Sequence, residues 1–497
     1  GTLRVNIGEG AASVRDTLEA TVGGYSKVIG LRAMPNLFSG AGTAADPYQI
    51  KTVADMAKLA DVTNNEHFAF SGRYFKVLND IDFANVDYAP VAVGANKFDA
   101  DFDGGDNKFT NVKYSTDKTA DTYIGLFGNV GQHGRLHDLT LASGSITAYS
   151  SSAGFAGRVF GQIENCVNNA TISTYKNTAA AGIAVYLAYG GSIKNCQNHG
   201  HIASVSSGSV GIVYETETNT LVENCVNTAD IVVESKNTNA GIVGSNGGTI
   251  KDCVNKGKIG GSASLAGIAV HSVGGDSIIN CVNEGDITGT SGTMGGIVAL
   301  KDKNNAVTVI KGCHNIGKIT GAANIAGIIG SATPGLMITD CYNTGDITGT
   351  GTAVGGFMGA CSTIADKTVV TTVTSSYNTG NVSSKKSTIG GFVGDMNETA
   401  AVFADCYNTG DVTVTGNYVG GFAGEWSGTA YRCYNAGNVK ANGYGIGGFS
   451  GIAPGEIHEC FNVGDVTSTG SSSSSLANAG GLWGYGYSRI YDSYNMG

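Results

Sequence analysis

Three short apolar segments recur in a fixed order along most of the chain, around a C-x-N-x-G motif. The motif occurs twelve times at intervals of 27 to 35 residues, with serine in place of cysteine at Ser376 and Ser493. An aliphatic residue stands three positions before the cysteine and a β-branched residue six positions after it, and the third segment reads G-[IFL]-x-G in its clearest copies. Segments this short are strands rather than helices, and a fixed period indicates a solenoid. The pattern predicts an all-β, right-handed parallel β-helix with three short strands per coil and about twelve regular coils.

Stacked coils place equivalent residues about 4.8 Å apart, so each repeat position becomes a column. The motif asparagine is present in all twelve copies and should form a hydrogen-bonded amide ladder. We expect the glycine two residues later to supply a positive φ at a corner. The next position alternates aspartate with lysine or asparagine from Asp230 to Asp465, which avoids stacking like charges. These columns support a register of one repeat per coil.

The repeats leave two segments to be explained. Residues 1–40 lack the pattern and are assigned as an irregular or extended N-terminal leader. Residues 41–137 are predicted to form an N-terminal cap, with a helix at about 52–64 and wider first coils. Thr52 and Asp55 have capping-box spacing, and Val53, Met56, Ala57, Leu59 and Ala60 form the apolar stripe of that helix. Residues 138–497 form the regular β-helix, and we expect the uncapped coil at Gly497 to permit end-to-end self-association.

The amino-acid composition argues against nucleic-acid binding and against a membrane span. Glycine accounts for 77 residues and proline for only 5, charged residues make up 14 %, and the net charge is −10. The acidic balance gives no reason to bind nucleic acid. No apolar run reaches the 18 or more residues of a membrane span, and the first thirty residues lack a signal-peptide pattern. We therefore expect no integral membrane segment in this chain.

The candidate chemistry is sparse, and the sequence predicts no catalytic residue, metal site or cofactor. Ten of the eleven cysteines occupy one inward column and are expected to be free thiols, whereas Cys361 lies off the column and is the candidate reactive thiol. DADFDG at 99–104 resembles the start of a calcium loop, but position twelve would be Thr110. Acidic residues outside the columns could still converge into a site for polysaccharide cleavage. They are Glu215, Glu217, Asp395, Glu398 and Glu425.

The candidate binding residues are aromatic. The position between cysteine and asparagine becomes aromatic in the C-terminal half and should face outward, so these rings form a stripe that either stabilises the rod or receives a ligand. Its members are Tyr342, Tyr377, Tyr407, Tyr434, Phe461 and Tyr494. Trp426 and Trp483 lie near the third strands and form a second candidate patch.

The third segment also carries a family resemblance. GLFG at 125–128 and GLWG at 481–484 resemble the GLUG motif, and GAGTAADPYQI, LNDIDF and FDADFDGGDNKF resemble the run that precedes such repeats in surface proteins of Bacteroides-type bacteria. GIAV at 182–185 and GIVY at 211–214 depart from the motif. The resemblance covers about residues 41–497. In that family the motif accompanies secreted or cell-surface proteins, including adhesin-like proteins and the non-catalytic parts of immunoglobulin A peptidases.

The resemblance implies a cell-surface or secreted, non-catalytic adhesin-like protein whose rod presents a binding face to a host glycan or a host surface protein. One alternative is a polysaccharide-active enzyme, either a lyase or a glycoside hydrolase, built on the β-helix. A second alternative is an architectural spacer within a larger surface protein.

Overall fold

The protein is a parallel β-solenoid of about 15 turns with one short helix, as seen in a computed structural model. The structure describes residues 37–497 except 120–121, 177, 206, 234–237, 303–304, 365, 367 and 471–478, together with the backbone of two strands nearer the N-terminus. Three sides per coil fit the sheet arrangement. The predicted fold class is confirmed.

The N-terminal leader, predicted to be irregular or extended, contains a β-hairpin. Strands β1 (Val14–Val22) and β2 (Tyr25–Ala33) pair antiparallel in a register that runs from Val14 opposite Ala33 to Val22 opposite Tyr25. The Gly-Gly dipeptide at positions 23 and 24 is a typical two-residue hairpin signal. The prediction of an irregular or extended leader for residues 1–40 therefore missed the pairing of these two strands.

The predicted capping helix is present. Strand β3 (Tyr48–Ile50) leads into α1 (Val53–Asn64), and Thr52 and Asp55 form the expected capping box. Four of the five stripe residues face the core or its edge, but Ala57 is exposed. Buried α1 side chains join the same hydrophobic core as the coils that follow, so the helix covers apolar surface that the first turn would otherwise leave open.

The first coils are wider than the rest and are filled by phenylalanine. They contain β4 (Tyr74–Val77), β5 (Ile81–Asp82), β6 (Asp101–Thr110), β7 (Val112–Ser115), β8 (Tyr123–Ile124), β9 (Phe127–Val130), β10 (Arg135–Leu141) and β11 (Gly144–Ala148). Strand β6 pairs in parallel with β4 on one side and β10 on the other. Phe75, Phe98, Phe102 and Phe127 are fully buried here and contact one another through tilted or edge-to-face rings.

A regular coil has three sides, two of which bend, so it contains five very short strands. In one such coil these strands are Thr249–Lys251, Val254–Asn255, Ile259–Gly261, Leu265–Ala266 and Ala269–Ser272. The first side bends before the cysteine and the third bends at the G-[IFL] pair. Each strand pairs in parallel with its equivalents in neighbouring coils.

The five strand columns extend through the repeats, and the second-side column is divided into two sheets, one ending at Ile202–Ala203 and the other beginning at Ile231–Val232. Their first and last members are Gln162–Glu164 to Arg489–Tyr491, Val167–Asn168 to Tyr494–Asn495, Thr171–Thr174 to Val466–Ser468, Ala180–Ala181 to Ala479–Gly480, and Ala184–Leu187 to Trp483–Tyr485.

The asparagine ladder is confirmed. Each side-chain amide nitrogen in the twelve-residue column donates to the carbonyl two residues later, and eleven of them also donate to the next asparagine Oδ1 at 2.7 to 2.9 Å. From Asn168 to Asn462 the column is completely buried. The amides thus satisfy each other and the turn backbone where water cannot reach.

The predicted positive φ at the motif glycine is wrong. Gly257, Gly285 and Gly317 are not in the left-handed region, and a Cβ there would lie 1.9 to 2.0 Å from a carbonyl oxygen of the preceding coil. Close approach of two backbones therefore favours glycine at this column, where only Ala170 and Ala229 carry a Cβ among the twelve copies. The left-handed residue is the one before the cysteine, with φ of 45° to 64° in every copy. Asparagine or aspartate fills most of these positions, in keeping with their tolerance of this conformation.

The column that follows the motif glycine, in which aspartate alternates with lysine or asparagine, links neighbouring coils through side-chain hydrogen-bond acceptors. Asp230, Asp286 and Asp411 each accept a hydrogen bond from the backbone N–H of the equivalent residue in the next coil, at 2.8 to 2.9 Å. Asn381 and Asn438 do the same with their side-chain oxygens. The side chain thus links neighbouring coils, and alternation with lysine or asparagine keeps negative charges from stacking.

Candidate functional site

The predicted aromatic side chains form one continuous stack on the first side of the rod, which we call the aromatic stripe. His314, which the sequence analysis did not include, extends the stripe by one ring. Neighbouring ring centroids are 4.7 to 5.4 Å apart and the ring planes differ by only 3° to 8°. Strand spacing sets this distance, because each ring occupies the same position in successive coils.

Stacking leaves the ring edges, rather than the ring faces, available to a ligand. Each internal ring has a neighbour on both faces and is half-buried, while Tyr494 at the end of the stripe is 50 % exposed. No hydrogen bond joins the hydroxyl groups of Tyr377, Tyr407 and Tyr434 to another of the described residues. Burial, followed by the charge of the neighbouring tyrosine, raises the pKa of Tyr407, so its phenol stays neutral at physiological pH. The stripe therefore presents a row of neutral hydroxyl groups at strand spacing.

The second predicted patch does not exist as a surface. Trp426 is 0 % exposed, and its indole Nε1 donates to the Glu456 carbonyl at 3.3 Å. Its ring packs edge-to-face against Phe403 and Phe422. Trp483 is partly buried against the same core, with its ring perpendicular to Phe449. The bend in the third side restarts the inward–outward alternation, which places Trp426 inside.

Cys361 is also buried, contrary to the expectation that it is a reactive thiol. It ends a strand, Met358–Cys361, and its Sγ donates to the Glu398 carboxylate at 3.4 Å. Burial, together with the adjacent carboxylate, raises the pKa of the Cys361 thiol. Because the thiolate is the reactive form, this site opposes nucleophilic chemistry. All eleven thiols are buried and free, as predicted for the ten in the column.

Four of the off-column acids converge in two pairs, Glu215 with Glu217 in the N-terminal half and Asp395 with Glu425 in the C-terminal half. Asp395 and Glu425 are register partners on adjacent coils of the third side, and both face outward and are half-buried. Burial raises the pKa of Asp395, and burial and the charge of Asp395 raise the pKa of Glu425. Asn397 donates to Asp395 Oδ1 at 2.7 Å, which fixes one of the two carboxylates. This pair of carboxylates could exchange a proton.

Tyrosine side chains lie beside this pair. Tyr418 donates its hydroxyl hydrogen to Tyr444 at 3.3 Å, and the two rings meet edge-to-face at 5.2 Å. The hydrogen bond to Tyr444 raises the pKa of Tyr418 to about 12, with a smaller contribution from the charge of Glu425. We call Asp395, Glu425, Tyr418 and Tyr444 the acid–tyrosine cluster.

The remaining acids of the prediction lie elsewhere. Glu398 is buried and accepts from the backbone N–H of Thr371. Glu217 accepts from the Tyr186 hydroxyl in the N-terminal half. The DADFDG segment is not a calcium loop, because its last four residues begin the long strand β6.

The comparisons with known proteins are weak, and no family model matches the chain. The chain is 30 % identical over 135 residues to a "Putative Gly-rich membrane protein" of Evansella cellulosilytica, covering 25 % of this chain and 15 % of that protein. It is 25 % identical over 147 residues to "Halomucin" of Haloquadratum walsbyi, covering 28 % of this chain and 2 % of that protein. The matches thus span only a small part of either relative.

A crystal structure of a "putative immunoglobulin A1 protease" from Bacteroides ovatus superposes with a TM-score of 0.35 and 21 % identity, over 63 % of this chain and 80 % of the other. Within the described residues, no helix is long and apolar enough to cross a membrane. The comparisons thus assign no family, and the chain is similar over part of its length to one protein named as a Gly-rich membrane protein and to one named Halomucin.

Proposed function

We propose that this protein is a non-catalytic, adhesin-like rod at the cell surface or in secreted form, and that the aromatic stripe contacts a host glycan or a host surface protein. The observation that carries the proposal is the row of half-exposed rings whose hydroxyl groups have no partner among the described residues. The GLUG-like repeats and the names of the two sequence relatives support a surface location.

The stacked geometry defines how such a ligand would bind. Sugar rings cannot lie on the faces of the internal tyrosines, since neighbouring rings cover them. A glycan or an extended peptide would instead run along the stripe and exchange hydrogen bonds with successive hydroxyl groups. A repeated ligand gains affinity from many weak contacts of this kind through multivalency.

Tyrosine-to-phenylalanine variants test this mode of binding. Tyr407→Phe combined with Tyr434→Phe removes two hydroxyl groups and keeps the ring stack, so stability should not change. We expect binding to immobilised mucin or to glycan-array ligands to fall about 5- to 150-fold, as expected for the loss of two ligand hydrogen bonds of about 0.5–1.5 kcal/mol each. Tyr189→Phe is the matched control, because this exposed tyrosine lies outside the stripe. Equal binding by the double variant and the control would remove the stripe from the proposal.

The acid–tyrosine cluster favours a second candidate function, a polysaccharide-active enzyme. Glycosidases use two carboxylates, one of them with a raised pKa as the general acid, and Asp395 and Glu425 have this character. A screen of plant and host polysaccharides for new reducing ends or unsaturated products tests the activity. Glu425→Gln should abolish any product formed, and Asp465→Asn, which changes an exposed acid outside the cluster, should not. If neither binding nor cleavage is found, the rod is an architectural spacer.

A further inference from the structure

A histidine and two aspartates converge on the first side of the wide N-terminal coils, far along the chain from the aromatic stripe. Asp103 lies on β6, and His137 and Asp138 lie on β10, where His137 is the register partner of Asp103. One ligand atom from each residue lies within 4.8 Å of the others. His137 Nδ1 is 2.6 Å from Asp138 Oδ2 and 3.9 Å from Asp103 Oδ1.

Each of these three side chains is oriented by a further partner. Asp101 Oδ1 lies 2.9 Å from His137 Nε2, on the side of the ring away from Nδ1. Asn165 donates to Asp138 Oδ1 at 2.7 Å, and the Gly105 backbone N–H donates to Asp103 Oδ1 at 2.7 Å. A carboxylate on the distal nitrogen of a histidine fixes its tautomer and orientation, as in metal sites where that histidine is a ligand.

The cluster is preorganised but reachable from solvent. The side chain of His137 is 9 % exposed, whereas those of Asp103 and Asp138 are 23 % and 30 % exposed. Two cations are nearby, because Lys76 binds Asp103 Oδ2 at 2.7 Å and Arg135 lies 3.5 Å from Asp101. The carboxylates of Asp101, Asp103, Asp106, Asp138 and Glu164 outnumber them, so the local field favours an added cation.

We propose that Asp103, His137 and Asp138 bind one first-row divalent metal ion. His137 would bind through Nδ1 while its Nε2–H donates to Asp101, and each aspartate would contribute one carboxylate oxygen. One nitrogen and two oxygens suit zinc, manganese or nickel better than calcium, which takes only oxygen ligands. Three protein ligands on one face leave coordination positions open to water or to a carboxylate of a bound ligand.

Zinc binding to the full chain tests the proposal. Isothermal titration calorimetry with zinc chloride, after treatment with a chelator, should give one saturable site per chain, and cobalt should give a visible absorption band with the intensity of a low-coordinate site. Asp138→Asn should weaken zinc binding at least tenfold. This variant should fold normally, because Asn165, Asn195 and Asn224 occupy the equivalent position in later coils and share its left-handed backbone.

Further variants separate coordination from charge. Asp103→Asn should weaken binding at least tenfold, and Asp101→Asn about tenfold, as expected for the loss of an outer-shell carboxylate. Asp106→Asn is the matched control, because it removes one nearby, exposed negative charge without removing a ligand. Circular dichroism and thermal unfolding confirm that each variant is folded.

Three results would overturn the proposed metal site. Absence of saturable zinc binding by the unsubstituted chain would refute it, as would unchanged affinity in Asp103→Asn and Asp138→Asn. An equal loss in Asp106→Asn would show general electrostatic attraction instead of coordination and would also refute it. These outcomes do not depend on whether the aromatic stripe binds a ligand.

Discussion

Replacement of Asn255 by alanine tests how strongly the buried asparagine ladder stabilises the rod. The Asn255 amide nitrogen donates to Gly257 O at 2.9 Å and to Asn283 Oδ1 at 2.8 Å, and its Oδ1 accepts from Asn227 at 2.9 Å. The variant leaves three polar groups without these partners in a site that water does not enter. At about 1–2 kcal/mol for each unsatisfied buried group, the expected cost is about 3–6 kcal/mol.

Native-state hydrogen exchange measures this cost locally, because coils of a solenoid open in part as well as together. Backbone amides of Val254–Asn255 and of the two flanking strands should lose protection in the Asn255→Ala variant. Asn495→Ala is the matched control, since Asn495 is exposed and water can replace its bonds, so a cost below about 1 kcal/mol is expected there. A cost below about 1 kcal/mol at Asn255, or equal costs at the two positions, would show that the ladder adds little to stability.

Three further predictions concern the backbone, the acid–tyrosine cluster and the thiols. Gly285→Ala places a Cβ 2.0 Å from a carbonyl oxygen of the preceding coil and should lower the free energy of unfolding by at least about 2 kcal/mol. Gly275 has a left-handed φ but open space around it, so Gly275→Ala should cost about 1 kcal/mol in thermal unfolding. Similar costs at the two positions would contradict the close-approach argument. The pKa of Glu425 is higher in the folded state than in the unfolded state, so the neutral carboxyl group stabilises the fold. This stabilisation is fully present below the unfolded pKa of about 4.3 and is lost as pH rises through the folded pKa. Glu425→Gln should therefore raise the unfolding temperature at pH 7 and leave it unchanged at pH 3, and the same change at both pH values would contradict this reasoning. An aromatic disulfide reagent should label no cysteine in the native protein and eleven after denaturation, and rapid native labelling of Cys361 would show that its site opens.

Much of the fold follows from the repeat. A motif that recurs at coil length forces equivalent residues into columns, so the asparagine ladder, the buried thiols and the aromatic stripe could all be predicted without a structure. The helix α1 could be predicted as well, because its capping box is local in sequence. The missed hairpin of β1 and β2 had a local signal too, since Gly-Gly separates two segments of equal length.

The wrong predictions concern residues that follow a bend, where the alternation of inward and outward side chains starts again. Inward and outward positions alternate only along an unbroken strand, and the bend at G-[IFL] restarts the alternation. Trp426 and Cys361 follow that bend and are therefore buried, although Trp426 had been predicted to form a surface patch and Cys361 to be a reactive thiol. The left-handed turn before the cysteine was misassigned to glycine for a related reason, because a sequence does not show how closely two backbones approach.

The sequence by itself thus determined the period, the columns and the residues that fill the core, because those depend on one repeated unit. Only the tertiary structure decided which unrepeated residues meet. His137 meets Asp101 and Asp103 because the wide first coils, which lie outside the regular repeat, bring β6 and β10 into register. Proximity across coils depends on the summed lengths of the intervening loops, and this geometric fact leaves no mark on either residue's own sequence neighbourhood.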